Sequence, residues 1–181
     1  MKFFTLKSDL GRSMLFISLG IFSWGIGALL WLYYNIILKM EVPYPSVADV
    51  FFIMTVPLAS YGLLKMLKST KLKVDTKTLF IVALIPLLTL TITYVIFING
   101  KLGEDVGVVE KLLNVVYPFG DTIFLSLTFI MLSLTFGSAS LKPLLFKPLC
   151  LLCTGFALEA IADFSFSYTT AVGKYYTGNW V

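Results

Sequence analysis

Polar residues are bunched along this chain. Between the bunches run five long apolar stretches, at 13–38, 46–67, 79–98, 118–137 and 148–168. A helix rises about 1.5 Å per residue and the hydrocarbon core of a bilayer is about 30 Å thick, so roughly 20 apolar residues cross it. The pattern predicts an all-α fold, a polytopic transmembrane helical bundle of about five spans that fills 1–181 as one integral membrane domain. Before the fourth span the pattern changes. In 100–117, Val108, Val109, Leu112, Leu113 and Val116 recur at helical spacing around Glu110 and Lys111. That spacing predicts a short amphipathic helix lying on the outer surface.

Composition strengthens the membrane reading. Of 181 residues, 58% are hydrophobic and 13% charged, against about 25% charged in a typical soluble domain. A core of this size cannot hide so many apolar side chains from water, but a bilayer can. The chain has no histidine, which excludes histidine phosphotransfer, His-ligated haem and a Ser-His-Asp triad within it. With no phosphate loop either, it has little catalytic equipment. We expect no enzyme activity, no catalytic residues and no cofactor. Cys150 and Cys153 form a CxxC pattern inside an apolar run, without further ligands nearby. They read as two core thiols, and no metal site is expected.

Charge orients the spans. Ten basic residues, among them Lys2, Lys7, Arg12, the run Lys65–Lys77, Lys142 and Lys147, fall on one side; Lys39, Lys101, Lys111 and Lys174 fall on the other. The positive-inside rule then places the N-terminus in the cytoplasm and the C-terminus outside, in a multi-pass protein of the cell membrane. The lysine loop reads as an anchor at the lipid headgroups, and no nucleic-acid partner is expected. The first stretch is too long for a signal-peptide core and reads as a retained helix.

Two spans open alike. The second begins Tyr44-Pro45-Ser46-Val47-Ala48-Asp49 and the fourth Tyr117-Pro118-Phe119-Gly120-Asp121. This suggests construction from repeated helix pairs. Capping chemistry explains the same residues, since Pro suits a first helical turn and an acid there complements the helix dipole. On that reading Asp49 and Asp121 lie near the outer interface.

Span five holds Glu159 and Asp163, four apart and therefore on one helix face. Glu159 falls near the bilayer centre, where an acid costs about 3 kcal/mol, and no Lys or Arg lies in the interior of a span to pair with it, Lys65 standing at the cytoplasmic end of span two. Two readings follow. The acids are polar bolts, hydrogen-bonded to a neighbour such as Trp24, Asn35, Tyr61 or Tyr94. Alternatively, Glu159, Asp163, Asp121 and Asp49 converge on an outward-facing pocket rimmed by Tyr44, Tyr117 and Tyr168, which suits a cation, an amine or a proton. The second reading requires spans two, four and five to pack together. In span one, Gly20, Gly25 and Gly27 mark a close-packing face toward another helix of this chain or of a partner. Trp24 reads as packed against protein, with the lining of a ligand cavity as the alternative, and Pro57 and Pro86 read as kinks.

The segment Tyr44-Pro-Ser-Val-Ala-Asp49 resembles a motif in the N-terminal multi-helix membrane modules of bacterial and archaeal sensor histidine kinases and diguanylate cyclases. Tyr117-Pro-Phe-Gly-Asp121 and Ala162-Asp163-Phe-Ser-Phe-Ser-Tyr168, followed by Gly173 to Trp180, are similar too. The resemblance implies a sensory module at the membrane. The chain departs from that pattern in lacking an output domain and in stopping at Val181: either it is a fragment or it is a short stand-alone relative, and the second case points to a subunit role with a partner that reads its signal. The leading expectation is a non-enzymatic sensory or ligand-binding module. The alternatives are an accessory or structural subunit of a larger membrane complex and, third, a small ion-coupled transporter. Expected partners are membrane lipids and other membrane chains or further copies of itself.

Overall fold

The computed structural model describes residues 6–40, 43–71, 73–99, 107–136, 138–139 and 141–174. Among these residues all regular structure is helical. Helix α1 (Asp9–Leu32) continues into a π-helical segment, Tyr33–Ile37, and α2 spans Val47–Thr70. Helix α3 (Thr76–Thr93) continues into a second π-helical segment, Tyr94–Asn99. Helices α4 and α5 span Val108–Phe136 and Lys142–Ala171. All five are long and apolar enough to cross a membrane, and the protein is a multi-pass α-helical membrane protein.

Local chemistry sets the helix starts. Ser8 caps α1, its Oγ accepting from the Gly11 amide at 3.0 Å. A capping box opens α2: Ser46 Oγ accepts from Ala48 N at 3.2 Å, and the Asp49 carboxylate accepts from Ser46 N and Oγ. Asp75 caps α3, taking the Thr78 amide at 2.9 Å and its hydroxyl at 2.6 Å. The Thr78 hydroxyl, then its amide, hold the Asp75 carboxyl below its ordinary range.

The fourth helix corrects the sequence reading. It starts at Val108, and Pro118 lies inside it. Residues 108–117 are therefore the first turns of α4 rather than a separate surface helix; 100–106 lie outside the described residues. Asp121 sits deep in the helix interior, so its capping role fails, while that of Asp49 holds. The two Tyr-Pro motifs therefore occupy different local structures. A buried proline is tolerated because, away from water, neighbouring groups satisfy the freed backbone. The carbonyl that Pro118 leaves without its helical partner is that of Asn114, four residues back.

Helices α1 and α2 form an antiparallel pair, and small residues bring them together. A Cβ on Gly20 would lie 2.9 Å from Ala59 Cβ, and one on Gly62 would lie 2.7 Å from Ser13 O. A Cβ on Gly27 would meet the Phe52 ring at 2.7 Å. Ser23 Oγ donates to Phe51 O at 2.8 Å across the pair. Gly25 differs from expectation: nothing lies within 4 Å of its Cβ position, so it is not part of the packing face.

Helix α2 packs on α4, α4 on α5, and α3 chiefly on α4. Along α3, Phe80, Leu87, Leu88 and Ile92 are exposed, a face that only an apolar solvent accommodates. Helices α1 and α5 are not packed side by side. They meet through side chains, Trp24 with Glu159 and Trp31 with Phe166.

The bundle has two unlike halves. Toward the Lys65–Lys77 end, Ile17, Leu63, Met66, Met131, Leu145 and Leu149 fill a continuous apolar core. Phe124 and Phe156, with ring centroids 3.9 Å apart, close this core from above. Beyond them, toward the far end, the interior is hollow.

Candidate functional site

The hollow is a cavity of about 200 Å³, built from four helices, each of which presents residues at helical spacing. From α1 come Trp24 and Trp31; from α2, Asp49, Phe52 and Val56; from α4, Tyr117 and Asp121; from α5, Phe156, Glu159, Asp163 and Phe166. The α5 residues recur at three, four and three positions, one continuous helix face. Helix α3 contributes nothing. Among the described residues no Lys or Arg lines it.

The four acids are held differently. Asp49 is well supplied with donors: the capping contacts from Ser46, and a short hydrogen bond from the Tyr117 hydroxyl. It ties the start of α2 to α4. Glu159 Oε1 accepts from the Trp24 indole N–H at 2.7 Å. Asp121 and Asp163 line the same wall of the cavity, one from α4 and one from α5. Two ionised carboxylates sharing one cavity repel each other, and a proton or a cation between them relieves that repulsion. Asp121 is 6% exposed, and its Oδ2 finds no donor among the described residues. A buried unpaired acceptor costs about 1–3 kcal/mol, more when charged.

Aromatic rings form the rest of the wall. At the far end Phe166 stands between Trp31 and Tyr44, with centroids 5.9 Å and 5.2 Å away. The Tyr44 hydroxyl donates to Asn114 Oδ1 at 2.9 Å. Burial first, then the Asp49 charge, raises the Tyr44 phenol above its ordinary range and keeps it a neutral donor.

The expected convergence of Glu159, Asp163, Asp121, Asp49 and Tyr117 is therefore present in the geometry. Tyr44 sits behind Phe166 rather than in the lining. Tyr168 does not join: it is 46% exposed, because two positions beyond Phe166 turn it away by about 200°. Of the proposed bolts, Trp24 meets an acid, donating to Glu159, and it also lines the cavity, the alternative to plain packing. Tyr61 packs instead on Phe16, Tyr94 is exposed, and Asn35 Oδ1 is buried without a partner. Sequence reasoning missed Trp31, Phe52, Phe156, Phe166 and Asn114. Phe156 and Phe166 carried a signal, since they flank Glu159 and Asp163 at three-residue spacing. Cys150 and Cys153 are free thiols, half-buried rather than in the core.

No family model, no curated protein and no solved structure matches the chain.

Proposed function

We propose that this chain is a non-enzymatic membrane sensory module that binds a cationic ligand in the acid-lined cavity. One observation carries the reading: carboxyls from three helices line one aromatic-walled cavity, with no basic lining residue among the described residues to neutralise them. Opposite charge and aromatic faces are the two features that attract an organic ammonium group. Each acid is expensive within a bilayer, and such groups are usually retained for a task. The ten-to-four charge bias favours an orientation with the lysine end in the cytoplasm and the cavity near the outer face. The resemblance of the Tyr44–Asp49 motif to sensory modules supports a signalling role. In it a ligand draws α5 toward α2 and α4, and a partner membrane chain reads the shift.

Isothermal titration of butylammonium into the protein in lipid nanodiscs tests this. Wild type should bind saturably. Asp163→Asn should bind about tenfold more weakly or worse, as expected for loss of one charge-assisted contact. Absence of saturable binding to the wild type overturns the reading. If that protein also leaves its membrane in a fixed assembly that Asp163→Asn forms equally well, a structural subunit is the better account.

A further inference from the structure

A second hollow adjoins the first. It is an open apolar groove of about 540 Å³ between α1 and α5, lined by Ile17, Ile21, Leu151, Leu152 and Gly155. Trp24, Phe156 and Glu159 line both the groove and the acid cavity. The Trp24–Glu159 hydrogen bond therefore stands where one opens into the other. Both residues lie near the middle of their helices, at the depth of the hydrocarbon. Along this side the bundle is unsealed: α1 and α5 are not packed together, and a Cβ on Gly155 would meet nothing within 4 Å. The far end is by contrast crowded by the Trp31–Phe166–Tyr44 rings.

We propose that the ligand is an amphiphilic amine, its ammonium head among the acids and its hydrocarbon tail in the α1–α5 groove, entering sideways from the bilayer past Trp24 and Glu159. This rests on the cation-binding reading and extends it to a ligand class. The cavity supplies what a cationic head needs. It is acidic and aromatic, and among the described residues the buried Oδ2 of Asp121 lacks a donor. The groove supplies what a tail needs. A dry cavity of roughly 150 Å³ takes up benzene, and this one is more than three times larger. An organic ammonium also fits better than a metal ion, because among the described residues no three acids are grouped closely enough to ligate one. A lipid-borne ligand crosses no charged barrier on this route, since the groove walls are apolar and the first polar group met is the Trp24–Glu159 pair.

The test uses octylammonium carrying a diazirine at its tail end, with the matching diazirine alcohol as the uncharged control, both in nanodiscs. Mass spectrometry locates the labels. The expected result is label on Ile17, Ile21, Leu151 or Leu152 at about tenfold the level left by the alcohol, a ratio that one desolvated cation contact supplies. Butylammonium should compete, and Glu159→Gln should reduce the excess. Gly155→Leu fills open space, so the variant should fold, lose the tail label and still bind butylammonium. If butylammonium binds the wild type but the octyl probe labels no more selectively than the alcohol, the tail groove is wrong and the cation reading survives. If neither amine binds, both fail. If the groove instead cross-links to a second copy of the chain, a protein helix fills it and the proposal is overturned.

Discussion

At the scale of single residues the four acids divide by their partners. Asp49 is a structural acceptor, and Tyr117 is its link across to α4. Tyr117→Phe removes that donor without changing the ring, and a hydrogen bond to a charged group contributes about 1.5–3 kcal/mol. The variant should unfold earlier by that amount in a denaturant titration in mixed micelles; an unchanged midpoint would mean the contact is not formed. Asp121 and Asp163 are the opposite case, a pair sharing one cavity with an orphaned oxygen. If one cation sits between them, Asp121→Asn and Asp163→Asn should each weaken butylammonium binding, and the double variant should be little worse than either. Additive losses in that cycle would place the two acids on separate ligands. How far these roles were legible follows from the same contrast. The Ser46–Asp49 box is written within four neighbouring residues, and it could be read. The Asp121–Asp163 pair depends on which helices adjoin, which no local pattern encodes.

At the scale of elements, spacing and residue size made most of the bundle readable, and one proline misled. Pro118 has the look of a helix start because first turns favour proline. In a membrane the competing rule prevails, that a helix continues through proline where no water waits for the freed carbonyl. The glycines of α1 show the same limit from another side. Small size grouped Gly20, Gly25 and Gly27, yet only the partner helix decides which of them touches anything. Gly20→Val should force α1 from α2, since its Cβ would stand 2.9 Å from Ala59 and 3.0 Å from backbone atoms of α2. Overpacking of this kind costs about 1–3 kcal/mol. Gly25→Ala should be neutral or stabilising by up to about 1 kcal/mol, from helix propensity alone. Thermal unfolding of the two variants beside wild type checks the contrast, and equal effects would refute the assigned α1–α2 register. Asp75 offers a pH test at the start of α3. Its carboxyl is lowered in the folded state, so its capping contribution is present above the unfolded value and fades as pH falls through the folded one. Asp75→Asn should flatten the acid limb of the stability profile, as read from unfolding midpoints below pH about 4.

At the scale of the molecule, the two halves of the bundle imply a direction. The apolar core lies toward the lysine-rich end and the acid cavity toward the other, so the side of the membrane that holds the lysines decides which compartment lies nearest the cavity. The basic bias argues for the cytoplasm at the lysine end. Lys73 and Lys174 are exposed near opposite ends of the bundle, and each can carry a single reporter. In a background with Cys150→Ala and Cys153→Ala, a membrane-impermeant maleimide applied to intact cells should label Lys174→Cys and leave Lys73→Cys untouched until the cells are opened. The reverse labelling would turn the cavity toward the cytoplasm. The acids would then sample cytoplasmic cations, and an outside signal would have to reach them through the bilayer itself, by the α1–α5 groove. Labelling of both sites in intact cells would mean that the population inserts both ways. The ten-to-four charge bias would then be too weak to hold one topology, and a partner chain would be needed to fix it.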